Sequence, residues 1–143
     1  MKGITGLIVF AGTMLLNATT MAGDFDGSKP LVCANQQVNE CVSGKRCKMV
    51  APMSVNLPNL FNVDVENKVI TGKHDRGLDA NTPVQHVEHL DGKLMLQGAD
   101  DGLPDVRDGM VWSMAIDETS GRMSLTASGD GFAIVAFGAC MVR

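Results

Sequence analysis

Tyrosine is missing from this sequence, tryptophan occurs once, at Trp112, and aromatic residues make up only 4% of the chain. Sites that hold sugars or single-stranded nucleic acid offer several exposed rings for stacking, and this chain is too poor in rings to build such a platform. Phe25, Phe61, Phe132, Phe137 and Trp112 mostly fall at inward strand positions, so Trp112 reads as core. Positive charge is also short, the formal net charge being −4. An acidic domain repels phosphate backbones, which argues against nucleic acid as a partner; it would steer a cationic partner toward itself.

Catalytic motifs are absent as well. No serine stands in Gly-x-Ser-x-Gly, none opens Ser-x-x-Lys, and no two cysteines are spaced as Cys-x-x-Cys. The sequence therefore assigns no catalytic residue, no cofactor and no metal ligand.

A long apolar run is missing too. Ile4 to Leu16 covers thirteen residues, short of the roughly 20 that a bilayer span needs. Lys2 before it and Thr20-Met21-Ala22 after it complete the three-part pattern of a secretory signal, with cleavage expected after Ala22. Cys33 lies too far beyond the run for lipoprotein processing. The expectation is a signal peptide over 1–22 and a single domain over 23–143, periplasmic or secreted, with no stable membrane insertion after cleavage. Loss of Lys2 takes the formal charge from −4 to −5.

What is there begins with four cysteines, Cys33, Cys41, Cys47 and Cys140, all within the exported part. An even count in a small exported domain reads as a disulfide framework, and four cysteines allow three pairings. The favoured pairing is Cys41 with Cys47, across a turn centred on Ser43-Gly44, and Cys33 with Cys140, tying the ends of the domain together.

Along the chain, Gly23 to Pro30 reads as an ordered lead-in, and residues 31–50 as a bridged loop region with one or two short strands. Pro52 and Pro58 bracket a stretch unsuited to a long regular element. Beyond it the pattern alternates: Phe61, Val63 and Val65; Val84 to Leu90, then the turn Asp91-Gly92 and a return through Leu94 and Leu96; Met110, Trp112, Met114 and Ile116; Met123, Leu125 and Ala127. Phe132 to Phe137 is apolar throughout and is expected to be buried on both faces. No helical periodicity longer than about ten residues occurs. The fold class predicted is all-β, a small antiparallel meander forming a barrel or sandwich, stapled by disulfides.

Three polar clusters are candidate sites. Asp100, Asp101, Asp105 and Asp108 do not follow the spacing of a helix-loop-helix calcium site, and they read as a solvated loop. His86 and His89 stand three apart on a predicted strand, so their rings should point to opposite faces rather than share a metal. His74 falls in a charged, solvent-facing loop. The seven methionines of the exported part, such as Met110, Met114 and Met123, read as core filler.

The segments Phe25 to Cys33, Val87 to Leu94, and Trp112 through Cys140 together resemble a group of small exported proteins of proteobacteria. That resemblance covers most of the exported part and implies a bacterial, periplasmic setting; it carries no chemistry. Ser128-Gly129-Asp130-Gly131-Phe132 is similar to the inhibitory loop of periplasmic lysozyme inhibitors, which are small disulfide-tied barrels, and implies binding to a protein.

The function expected is a non-catalytic periplasmic module that binds a protein or small-molecule partner or serves the envelope. The alternative is a small hydrolase or lyase whose site is assembled from distant residues. Converging His, Asp or Arg side chains in a deep pocket would mark the enzyme, and a filled barrel with a protruding loop would mark the binding module.

Overall fold

A computed structural model describes residues 23–73, 79–102 and 105–143. The expected signal segment, 1–22, and His74 lie outside the described residues. Ten strands form one antiparallel sheet: β1 (Leu31–Val42), β2 (Lys48–Val50), β3 (Leu60–Asp64), β4 (Val69–Lys73), β5 (Asp79–Pro83), β6 (His86–Leu90), β7 (Lys93–Asp100), β8 (Met110–Asp117), β9 (Arg122–Ser128) and β10 (Phe132–Val142). A 3-10 turn, Pro52–Val55, follows β2.

The strand order is β5-β4-β3-β1-β10-β9-β8-β7-β6, with β2 added beside β1. The two outermost strands, β5 and β6, are consecutive in the chain and are joined by only Val84 and Gln85. A sheet whose edges are tied by two residues must curl until those edges meet. The connector shows the closure directly. Val84 N–H donates to the Lys68 carbonyl at 2.9 Å on one side, and Gln85 N–H donates to the Gln97 carbonyl at 2.8 Å on the other. The result is barrel-like, and it leaves little unpaired edge.

Alternation decides which side chains fill it. In β8, Trp112, Met114 and Ile116 are buried, and in β9 Met123, Leu125 and Ala127 are buried, while Ser113, Ser124 and Thr126 face out. Register pairs Met114 with Leu125 and with Leu96, so one apolar row runs across β7, β8 and β9. Leu31, Val63, Leu94, Leu96, Met114, Ile116 and Ile134 are fully enclosed. The tight turn at Asp91-Gly92 places both residues at positive φ, +52° and +68°, as a two-residue hairpin turn requires.

Both expected disulfides form. Cys33 and Cys140 are register partners on β1 and β10 and bridge inside the core, and Cys41 bridges to Cys47. Disulfides of this kind belong to a chain that folds in an oxidising, exported setting.

Four expectations change. Residues 31–42 form the longest strand of the sheet, where a bridged loop with short strands was predicted. Its alternation is interrupted by a bulge between Asn35 and Gln37, which moves Val38 instead of Gln37 to the core face and hides the strand's period. β10 is not buried on both faces: Ile134 and Ala136 are enclosed, but Phe137 remains 47% exposed, because the sheet has a single interior. β5, with the polar sequence Asp-Ala-Asn-Thr-Pro, was not anticipated; it is held by pairing with β4 along its whole length. Asp100, assigned to a loop, is the last residue of β7 and pairs with Met110.

The two ends of the barrel differ. At one end the lead-in folds across the opening: Phe25 N–H donates to the Glu118 carbonyl at 3.2 Å, and Phe25 packs against the core. Gly27 sits buried so close to Val65 and Leu94 that a β-carbon there would stand 2.7 Å from Val65 Cγ2. The other end, where β7 stops and β8 begins, carries no such plug among the described residues.

Candidate functional site

At the unplugged end the sheet encloses a cavity of about 230 Å³. Its floor is made by inward positions of β8, β9 and β10, namely Trp112, Met114, Leu125, Ala127 and Ile134. Phe61 and Ile70 form a side wall, and Val55, Leu57 and Pro58 reach over from the 3-10 turn and the segment after it. Thr82, Asp100, Asp108 and Phe132 stand at the half-buried to exposed mouth. The 3-10 turn is terminated by Asn56 at φ +59°, whose N–H, like that of Leu57, folds back onto turn carbonyls. This compact kink aims Val55 and Leu57 at the cavity.

Two polar side chains stand within this apolar lining. Asn35 is on the inward face of β1, in a row with Leu31 and Cys33, and is 9% exposed. Its backbone N–H donates to the Asn59 carbonyl at 3.0 Å, and its Nδ2 donates to the Pro58 carbonyl at 2.8 Å. Only the amide nitrogen can donate to a carbonyl, so the orientation of the side chain is fixed and Oδ1 is the free end. Trp112 is 8% exposed. Its ring lies across Gly98, its register partner on β7; a β-carbon at Gly98 would stand 2.6 Å from Trp112 Cζ2 and 2.5 Å from the Pro83 carbonyl. Glycine here admits both the indole and the closing connector.

Neither Asn35 Oδ1 nor Trp112 Nε1 has a hydrogen-bond partner among the described residues, and both are closed off from solvent. A buried polar atom left unpaired costs about 1–3 kcal/mol. Both residues contribute to the cavity lining, and these are the only two such buried atoms among the described residues.

The mouth carries acid. Asp100 Oδ2 accepts from Thr82 Oγ1 at 2.8 Å, linking β5 to β7, and Oδ1 accepts from the Gly102 N–H at 2.9 Å. Asp101 and Asp105 are exposed, as a solvated loop implies. Among the described residues no group of His, Cys, Asp and Glu is arranged to hold a metal ion.

The histidines go elsewhere. His86 pairs with Gln97 on the outer face, whereas His89 pairs with Leu94 on the inward face, so the two rings diverge as strand geometry demands. His89 Nδ1 meets Glu118 Oε1 at 2.6 Å at the plugged end. His86 lies beside a broader groove of about 500 Å³ on the outer surface, near Gln97, Ser113 and Thr126. That groove is open, and Ser113 Oγ and Thr126 Oγ1 satisfy each other at 2.8 Å, so its volume measures exposed surface rather than a formed site.

Trp112 was expected as packing, and it is packed, with its indole N–H left without a partner among the described residues. Asn35 was missed. The signal that could have found it is a lone polar residue at an inward position of an alternating row, legible only once residues 31–42 are recognised as a strand.

No described helix is long and apolar enough to cross a membrane. No protein-family model, curated protein or solved structure matches the chain.

Proposed function

We propose that this protein is a non-catalytic binding module of the periplasm or another exported compartment, and that it holds a small, mainly apolar ligand in the open end of its barrel. The observation that carries the reading is the 230 Å³ cavity, apolar on its floor, walls and cover. An apolar cavity of about 150 Å³ is enough to hold benzene, so this one suits a single ring with a few further atoms. The barrel is thus not filled, as a purely protein-binding module would have it, and among the described residues no bases converge on it. Among the described residues its lining holds two carboxylates, Asp100 and Asp108, and no His, Lys, Arg or Cys. Both oxygens of Asp100 already accept hydrogen bonds, which suits a structural strut better than a general base.

Titration with one-ring apolar compounds, toluene first, tests the reading. The expected result is saturable binding of one equivalent, a rise in melting temperature, and a change in fluorescence of Trp112, the only tryptophan. Ala80→Leu, at the half-buried wall, should weaken that binding while the fold survives. Absence of binding across such a panel would overturn the proposal.

A further inference from the structure

We infer that the outer face of β1, β2, β9 and β10 is a docking surface for an anionic phospholipid membrane, on which the barrel lies by its side. This face is on the outside of the barrel and does not depend on the cavity. The starting point is β10, whose sequence is apolar toward both faces although the sheet has a single interior. Its inward residues Ile134, Ala136 and Cys140 are buried, and its outward row is Ala133, Val135, Phe137, Ala139 and Met141. Register widens that row into a patch. Val32 of β1 lies beside Met141, Ala34 beside Ala139, and Leu60 of β3 beside Ala34. Met49 of β2 lies beside Asn39, itself the partner of Val135. Met49 is 70% exposed and Met141 63%, and Leu60 and Phe137 also stand clear of the surface. A contiguous apolar patch of this kind, rimmed by polar residues, marks an interaction site.

Charge identifies the occupant. Residues 29–50 and 122–143, which supply these four strands and their turns, carry Lys29, Lys45, Arg46, Lys48, Arg122 and Arg143 against two acids, Glu40 and Asp130. The rest of residues 23–143 carry five cations against fourteen acids. Glu40 is already paired with Lys48 Nζ at 2.9 Å. The outward positions of β1 and β10 hold no ionisable side chain. Cations are thus gathered on one side of an acidic protein, exposed at both ends of the apolar row: Lys29, Arg122 and Arg143 at one, Lys45 and Arg46 at the other. β1 has 12 residues, so the two groups stand roughly 35 Å apart. A barrel laid along a bilayer sets both groups among the phosphates while Met49, Leu60, Phe137 and Met141 enter the headgroup boundary.

A second copy fits this face less well, because it would bring the same cations against these. A rigid protein partner would need pockets matched to each projecting side chain. A barrel's outer face is convex, and a fluid apolar boundary receives separate projections without such matching.

Vesicle sedimentation tests the inference, with protein whose N-terminus has been checked by intact mass so that the apolar run Ile4 to Leu16 is not what binds. Vesicles of equal parts phosphatidylglycerol and phosphatidylcholine should bind at least tenfold more tightly than phosphatidylcholine alone, and the difference should shrink as salt is raised. Each Lys or Arg beside an anionic surface strengthens binding roughly fivefold, so Arg46→Gln with Arg122→Gln should weaken it by more than tenfold. Phe137→Thr with Met141→Thr keeps β-forming residues at exposed positions and should weaken it several-fold, with melting temperature little changed. Leu90→Thr, at a similarly exposed position on β6, should change nothing. In the unmodified protein, spin-labelled lipid should broaden the methyl signals of Met49 and Met141. It should spare Met95, outward on β7, and Met114, in the core. Equal binding to both kinds of vesicle, no binding to the anionic kind at low salt, or broadening at Met95 in place of Met49 and Met141 would overturn the inference. So would a concentration-dependent dimer abolished by Phe137→Thr, which would give the face to a second copy.

Discussion

Gly98→Ala tests the closure of the barrel and the seat of the indole in one substitution. Replacing a strand glycine by alanine normally stabilises a protein by about 0.4–1 kcal/mol where the backbone permits it, because the unfolded chain loses freedom. At Gly98 the added carbon would stand 2.5 Å from the Pro83 carbonyl and 2.6 and 2.8 Å from Trp112 Cζ2 and Cε2. Ordinary contacts between such atoms begin near 3.4 Å, so something must move by most of an ångström. Neither neighbour is a loose side-chain end: one is backbone next to the connector, and the other is a ring enclosed on the barrel floor. Overpacking of this kind costs about 1–3 kcal/mol, which outweighs the entropic gain and sets the sign. A domain of this size loses roughly 3–6 °C of melting temperature per kcal/mol. The expected drop is therefore roughly 5–15 °C, with a change in the emission of Trp112.

Gly109→Ala is the control. Its β-carbon would meet nothing nearer than the Asp100 carbonyl at 3.2 Å, at an ordinary backbone conformation, so its effect should be small. Thermal denaturation followed by circular dichroism and tryptophan fluorescence reads both variants. A Gly98→Ala protein as stable as the parent would mean that the connector and the indole do not press on β7 there, and the closure described above would fall with it.

Three further outcomes follow from the structure. Removing the Cys33–Cys140 bridge, which spans 107 residues, should cost more than removing Cys41–Cys47, which spans 6; loop entropy gives about 5 against about 2 kcal/mol. Mild reductant should open Cys41–Cys47 first, since Cys47 is exposed and Cys33 fully enclosed, as alkylation and peptide mapping would record. Trp112→Ala should cost about 3–5 kcal/mol by denaturant unfolding, and a near-neutral result would mean the strand faces are misassigned.

Much of the fold was legible because alternation and turn chemistry agreed over β7, β8 and β9. There, apolar residues at every second position were bounded by Asp91-Gly92 and Asp117 to Gly121. Legibility failed where tertiary structure overrode local pattern. β1 carries a bulge that breaks its period, and β5 carries almost no apolar residue, existing only because β4 offers it a ladder. The cavity was illegible for a related reason. It arises from the curl imposed by the Val84-Gln85 connector and from how far the segment after the 3-10 turn reaches over the opening, and neither is written in a motif. Asn35 and Trp112 stand 77 positions apart in sequence and share a cavity only after that curl.

The same asymmetry separates what holds the barrel shut from what leaves it open, and this makes acid a way to tell the two ends apart. Asp26, Asp64 and Asp117 all anchor turns at the plugged end. Each has a carboxyl held below the ordinary aspartate value: Asp26 by the Ser28 hydroxyl and N–H, Asp64 by the Asn67 side chain and N–H, and Asp117 by the Ser120 hydroxyl and N–H. His89 adds a smaller favourable charge at Asp26. A native pKa below the unfolded one means that these groups stabilise the fold above about pH 4, and that the contribution is lost as pH falls through the lowered native values. Stability should thus fall as pH drops from 4 toward 2. Asp117→Asn keeps an acceptor for the Ser120 N–H, so the protein should fold at neutral pH while its acid slope becomes shallower. Denaturant unfolding measured from pH 6 to pH 2 reads this directly. An unchanged slope would show that the Asp117 turn takes no part. At the open end, Asp100 keeps Thr82 and Gly102 as partners. Hydrogen exchange in acid should therefore rise first in the turns around Asp26, Asp64 and Asp117, while the β8 and β9 amides beneath the cavity stay protected until the whole sheet unfolds. Early exchange at Trp112 and Met114 instead would mean that the barrel opens from the cavity side, and the division between a fastened end and a receiving end would be wrong.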